Sequence, residues 1–263
     1  MHLGKQIRLK RIFSHSSGNL CSVAVDHFTG YQAGLPPGLT NVPKTIRQVM
    51  AERPDAMSML KGMAQGCWGE HAGKAALVIM SVCFTPDDGM IEQVAYPEEA
   101  MLMGADALAV AIGVRGPNEG KFLKILNTAV ELGNRINYPI IAHIYPRDFS
   151  GTPKIVYDPE NIMWAVRCGI ECGADVIKVP FTGDVASYRE IVATSPVPVV
   201  VAGGPKAENL ERALELVEMA IQAGAKGATV GRNIWSEGDV GRAVRAFKAV
   251  IHDGVTPKEA LKA

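Results

Sequence analysis

Gly173-Ala-Asp-Val-Ile-Lys-Val-Pro-Phe-Thr-Gly-Asp184 is the stretch from which the fold of this chain is read. A Val/Ile run that opens after a glycine and closes at Pro180 is the pattern of a short, buried parallel strand. Its opening phrase recurs: Gly104-Ala-Asp-Ala begins a second apolar run and Gly224-Ala-Lys-Gly-Ala a third. In each, a helical pattern stops at the glycine and a strand pattern follows at once. That is the αβ turn of a repeating unit, with glycine as the C-terminal cap. Inside the first stretch stands Lys178, a residue that seldom belongs in an apolar strand. Alternation puts Val176 and Lys178 on one face, and two readings stay open: a lysine snorkelling at a strand end, or a desolvated amine used as a nucleophile.

Outward from this stretch the same unit repeats. Strands are expected at Leu20 to Asp26, Asp55 to Leu60, Ala75 to Met80, Ala105 to Ile112, Pro139 to Tyr145, the lysine strand, Val197 to Ala202 and Ala225 to Val230. Helices are expected between them. Asn41 caps one that accepts Pro43 in its first turn and runs to about Glu52. A helical piece near Met63 to His71 and a helix over Tyr96 to Met103 follow. Asn118 to Asn137 carries the apolar spacing of Phe122, Ile125, Leu126, Ala129 and Leu132. Asp158 with Pro159 opens a helix to Cys172. The remaining helices are expected at Asp184 to Ala193, Ala207 to Ala223 and Asp239 to His252, behind an amphipathic helix at the start of the chain. Strand-helix alternation over residues 1–263 leaves no linker, so the expected class is α/β, a single (β/α)8 TIM barrel with an N-terminal helix.

Composition narrows the function classes. Lys+Arg and Asp+Glu are each 27, a net charge of +0, which argues against a broad electrostatic footprint for nucleic acid or an anionic membrane. A small anion held by local cations fits such a balance. No apolar run approaches the roughly 18 residues of a membrane span, and the basic opening Met1 to Arg11 lacks a following hydrophobic segment, so a cytoplasmic protein is expected. Cys21, Cys67, Cys83, Cys168 and Cys172 show no CxxC spacing, and Cys168 and Cys172 stand one helical turn apart as core residues do. His27, His71 and His143 lack metal-ligand spacing, so neither a metal nor another cofactor is expected.

In barrels of this kind chemistry sits where the strands end. The ends here are Asp26-His27, His143 with Tyr145, Lys178, Ala202-Gly-Gly-Pro-Lys206 and Gly231-Arg232-Asn233. A carboxylate, a phenol and a lysine at one barrel mouth supply a nucleophile, a proton donor and a group that orients or accepts protons. Each also has an ordinary reading: Tyr145 as a rim seal, Asp26 as a cap for its loop. Gly203 and Gly204 allow close backbone approach, and Gly231 to Trp235 can start a half-helix facing the same spot. With Lys206 and Arg232 this is the pattern of a phosphate cup.

These residues resemble those of the archaeal-type class I fructose-bisphosphate aldolases, the DhnA or DeoC/LacD-like group. The resemblance rests on Val25-Asp-His27, Tyr145-Pro-Arg147, Val176-Ile-Lys178, Ala202-Gly-Gly-Pro-Lys206 and Val230-Gly-Arg-Asn-Ile-Trp235, in order along the chain. It implies that Lys178 forms a Schiff base, that Tyr145 is the acid/base and that Asp26 assists proton handling. It further implies that Gly203, Gly204, Lys206, Gly231 and Arg232 hold a substrate phosphate, with His27 and His143 as substrate contacts. The implied substrate is a phosphorylated, fructose-bisphosphate-like ketose. The group also contains a thiolase of a phosphorylated signal-breakdown product and a synthase of an aminodideoxyheptulosonate. Relatives assemble as rings of five stacked into decamers, so a homo-oligomer, pentamer or decamer, is implied. The chain departs from the group at Phe28, where glycine is common, at Ile144, and at Ala111 to Pro117. Within that last segment Arg115 has two readings, a contact to the far end of a substrate or a pair with Glu119. A phospho-sugar isomerase on the same barrel would keep the cup without needing Lys178, and a binding module would need only the cup.

Overall fold

The strands expected from the sequence form and close on one another. The computed structural model describes residues 2–27 and 34–262. Phe28 and residues 29–33 of the loop after the first strand lie outside the described residues. The barrel strands are β1 (Leu20–Ala24), β2 (Ala56–Met59), β3 (Ala76–Met80), β4 (Ala107–Val114), β5 (Ile140–Asp148), β6 (Val176–Val179), β7 (Val199–Ala202) and β8 (Gly227–Val230). Each runs parallel to the next, and β8 returns to β1 with Gly227 opposite Leu20. The result is a closed eight-stranded parallel barrel, a TIM barrel.

Alternation along the strands divides the interior in two. Outward residues such as Val23, Met57, Leu108, Ile144, Ile177 and Val201 join the helices in one cluster. Inward residues such as Ala56, Val78, Ala109, Ile141, Val176 and Val200 form a second cluster inside the barrel. The N-terminal helix α1 (Leu3–Ile12) belongs to this inner cluster: Ile12 is buried in it, and Leu9 and Phe13 pack against it. It therefore plugs one end of the barrel.

The helices of the outer layer are α2 (Val42–Ala51), α3 (Lys61–Cys67), α4 (Pro97–Leu102), α5 (Glu119–Arg135), α6 (Pro159–Glu171), α7 (Val185–Ala193) and α8 (Leu210–Gln222). The half-helix α9 (Arg232–Trp235), α10 (Val240–Lys248) and α11 (Pro257–Ala260) complete the described α-helices. The expected caps hold: Asn41 accepts from Lys44 N–H and Asp158 from Asn161 N–H. The helix expected from Ala207 starts later, because the Ala207 N–H is taken by Asn233 at 2.8 Å and Asn209 caps the helix instead. Two short pieces lack a signal in the sequence. Val82–Phe84 and Ile91–Gln93 form a hairpin after β3, and Lys154–Ile155 returns antiparallel along the end of β5.

The recurrent turns explain themselves at the N-terminal ends of the strands. Gly104, Gly173 and Gly224 take φ of 80°, 79° and 103°, the left-handed region that glycine enters freely. Asp55, Asp106 and Asp175 open β2, β4 and β6, and each accepts a backbone N–H from the preceding strand. The donors are Cys21 at 2.7 Å, Leu77 at 3.4 Å and Ile140 at 2.9 Å. Each carboxylate also faces a side-chain nitrogen, of His252 at 3.0 Å, Arg11 at 3.2 Å and Lys5 at 2.8 Å respectively. The aspartate of the repeated turn is thus a strand-joining device on the face away from the strand ends, where such residues serve stability.

Candidate active site

Lys178 sits on β6 between His143 of β5 and Val200 of β7, its register partners on either side. It is buried, 5 % exposed, on the same strand face as Val176 of the inner cluster. Tyr145 lies two residues beyond His143 and packs against that same cluster. Strand alternation therefore brings His143, Tyr145 and Lys178 to the C-terminal mouth of the barrel. His143 is buried, and its imidazole is held well below its ordinary value by desolvation first, then by the neighbouring Lys178 and His27, which oppose a charge on it. It is a neutral ring at neutral pH.

Asp26 follows β1 and is held from two sides. The Ser58 hydroxyl of β2 donates to its Oδ2 at 2.5 Å, and His27 Nδ1 stands 3.3 Å from its Oδ1. Burial pushes the His27 imidazole down to about 4, opposed by Asp26 and assisted by the cations of Lys178 and Arg232. The His27 ring packs edge-on to Trp235, whose Nε1 donates to the Ala24 carbonyl at 3.1 Å. Gly231 lies beneath this ring: a Cβ there would come within 2.5 Å of His27 Cε1 and 3.0 Å of the Ala24 oxygen. Glycine at this position is what allows the half-helix to close against β1.

The loops after β7 and β8 are joined by one side chain. Asn233 donates to the carbonyls of Gly203 at 2.8 Å and Pro205 at 2.9 Å, and accepts from the Ala207 N–H. Gly204 takes a φ of 70°, and a Cβ at Gly203 would stand 2.8 Å from the Val230 backbone. His27, Tyr145, Lys178, Gly203, Gly204, Gly231 and Arg232 line one cavity at the strand ends. Among the described residues Arg232 Nε is buried without a hydrogen-bond partner, an arrangement suited to an incoming anion. Lys206 is not brought to this cavity; its ammonium pairs with Glu237. An exposed lysine stem reaches a neighbouring carboxylate more readily than it turns inward.

The DeoC/LacD family aldolase model matches residues 20–237, which spans every barrel strand and the half-helix. The chain belongs to the DeoC/LacD aldolase family. It is 30% identical over 257 residues to the 2-amino-4,5-dihydroxy-6-oxo-7-(phosphonooxy)heptanoate synthase of Streptomyces griseus, covering 96% of this chain and 92% of that one. It is 31% identical over 260 residues to the 2-amino-3,7-dideoxy-D-threo-hept-6-ulosonate synthase of Halobacterium salinarum, covering 98% and 95%. An archaeal fructose 1,6-bisphosphate aldolase superposes with a TM-score of 0.82 at 25% identity, over 95% of this chain and 100% of that one.

Several residues of this aldolase stand elsewhere than a strand-end reading would put them. Arg115 stacks over Trp164 at 4.5 Å and meets Glu160 at 3.3 Å, while its backbone N–H donates to Glu119. Its side chain serves the junction of α5 and α6 through Glu160 and Trp164, not through the pair with Glu119 that the sequence offered. Arg147, of the Tyr-Pro-Arg motif, is buried against Asp88 and lies 5.1–5.3 Å from the rings of Phe84, Phe122 and Phe149. It ties the β3 hairpin to the end of β5. His71 lies beside Trp68 and Glu70. Ser58, Thr229 and Tyr157 are site residues that motif reading missed: Ser58 holds Asp26, and the other two line the cavity. A serine on the inward face of β2 was the only sequence signal for the first.

Proposed function

We propose that the aldolase forms or cleaves a carbon-carbon bond in a phosphorylated ketose through an imine on Lys178. The observation that carries this reading is the burial of Lys178 in the same cavity as Tyr145 and Arg232. Cleavage β to a ketone leaves an electron pair that the ketone accommodates poorly and an iminium accepts well. The nucleophile for that step is the amine of Lys178, buried in a cavity that Arg232 also lines. The amine attacks the ketone carbon, the carbinolamine loses water, and the hydroxyl on the β carbon gives up its proton as the bond breaks. Tyr145 and Asp26 move those protons, with Ser58 and His27 holding Asp26 in place.

The cup formed by Gly203, Gly204, Gly231 and Arg232 lines the same cavity as Lys178 and would take a phosphate on the ketone half, as in a 1-phospho-2-ketone donor. The product named for the Streptomyces griseus relative has the same feature, a 7-(phosphonooxy) group beside a 6-oxo carbon. Aldol scission between the hydroxyl-bearing carbons of that skeleton returns dihydroxyacetone phosphate and an amino-acid aldehyde. Fructose 1,6-bisphosphate returns the same donor. Between these two the donor half is shared, and the acceptor aldehyde distinguishes a bisphosphate aldolase from a synthase like that of Streptomyces griseus. The 3,7-dideoxy product named for the Halobacterium salinarum relative lacks an oxygen at C7 and so does not contain this donor.

Sodium borohydride reduction with dihydroxyacetone phosphate is expected to leave a covalent adduct on Lys178, located by peptide mass spectrometry. Unmodified Lys178 under conditions of turnover would sink the imine mechanism. A panel of acceptor aldehydes, followed by product mass, then assigns the second half-substrate.

A further inference from the structure

Tyr157 lies two residues beyond the return strand Lys154–Ile155 that follows β5. That strand pairs Ile155 with Arg147 and Lys154 with Asp148, and the Val156 N–H donates to the Pro146 carbonyl at 3.0 Å. Continuing the antiparallel register brings Tyr157 opposite Tyr145, and opposed residues of an antiparallel pair share a face. The two phenols accordingly line the same cavity as Lys178 and Arg232. Both ends of the strap are anchored: Arg147 is buried against Asp88, and Asp158, next after Tyr157, caps α6. The phenol is thus presented to the cup by fixed backbone.

The charge balance of the cup leaves a place for it. Lys206 is engaged by Glu237, so Arg232 is the cation of the glycine loops that remains without an ion pair among the described residues. A phosphate carrying close to two negative charges needs more donors than one guanidinium supplies. We propose that Tyr157 is a specificity-determining residue whose hydroxyl donates to the substrate phosphate beside Arg232, opposite the glycine loop. Partial burial, in a residue 39 % exposed, raises its phenol above the ordinary value, so the hydroxyl remains a donor through the neutral range. This inference rests on the phosphate-cup reading given above, and it assigns to a neutral side chain part of the discrimination between phosphorylated and unphosphorylated ketones.

Inorganic phosphate titrated calorimetrically into wild-type protein and Tyr157→Phe tests the contact without any imine. The ring is kept, so equal melting temperatures are expected, and the variant should bind phosphate about 10- to 100-fold more weakly, the usual scale for one hydrogen bond to a charged group. In turnover the same variant should raise KM for the phosphorylated ketone by a similar factor, leave kcat within about twofold, and leave the unphosphorylated ketone unaffected. Equal phosphate affinity in the two proteins overturns the proposal, as does absence of phosphate binding to the wild type. A loss of kcat at constant KM also overturns it, by moving Tyr157 into proton transfer beside Tyr145. Should borohydride trap nothing on Lys178 while Tyr157→Phe still weakens phosphate, the imine reading fails and the Tyr157 contact stands.

Discussion

Around Lys178 the site keeps its histidines neutral and its carboxylate engaged elsewhere. His143 is buried beside the lysine with its imidazole pushed down, and Asp26 is held by Ser58 and His27. An amine in such surroundings has no carboxylate partner among the described residues, which suits a nucleophile better than a structural cation. Lys178→Ala is expected to abolish adduct formation and turnover, and Tyr145→Phe to lower kcat by about 10²- to 10⁴-fold, the range of one general acid-base group, measured by coupled detection of triose phosphate. The neutral histidines also set a pH dependence of stability. In the unfolded chain each takes up a proton below about 6.5, whereas in the fold His27 does so only near 4 and His143 only well below its ordinary value. Between those values the unfolded state binds more protons, so stability falls as the pH drops below about 6.5, by about 1.4 kcal/mol per pH unit for each such histidine. Denaturant melts at stepped pH should show the slope, and His143→Gln should reduce it.

Two elements position the anion site, and each depends on a side chain that reaches across a loop. Asn233 at the head of α9 ties the β7 loop in place through Gly203, Pro205 and Ala207. Asn233→Ala removes all three contacts; it should raise KM for a phosphorylated substrate about tenfold and cost about 1–3 kcal/mol of stability, since buried carbonyls lose their donor. The unphosphorylated ketone serves as the control. Arg147 performs the corresponding service for the β5 end. Its guanidinium, caged by aromatic rings and Asp88, fixes the strap from which Tyr157 projects. Much of the site was legible from strand ends because alternation along a strand is rigid. Lys178 and Tyr145 face one mouth for that reason, and Asp26, Arg232 and the glycine pairs join them there because each follows directly on a strand end. Lys206 and Arg115 stand on loops, where a long flexible side chain takes the nearest carboxylate, and loop spacing does not reveal which one is near. Tyr157 was illegible because a two-residue strand has no periodicity to read.

At the scale of the barrel, chemistry and stability occupy opposite ends. The lower end is closed by α1 and by the three strand-opening aspartates, and a buried ion pair there joins Lys5 to Asp175 at 2.8 Å, with Asn134 accepting from the same ammonium. Asp175→Ala would leave Lys5 buried without its partner and the Ile140 N–H without its acceptor. A destabilisation of about 3–5 kcal/mol is expected in urea unfolding, with kcat/KM of the folded fraction unchanged, because the site lies at the far end.

By itself the sequence determined the eightfold strand-helix alternation, hence the barrel, and the residues that close each strand. These follow from periodicity and from glycine at the helix ends, which are local properties of the chain. Only the tertiary structure decided which cation faces the cavity, which side chain braces the glycine loops, and that a second phenol stands opposite Tyr145. Those are contacts between segments far apart in the chain, and their partners are selected by the register and closure of the barrel rather than by any spacing along it.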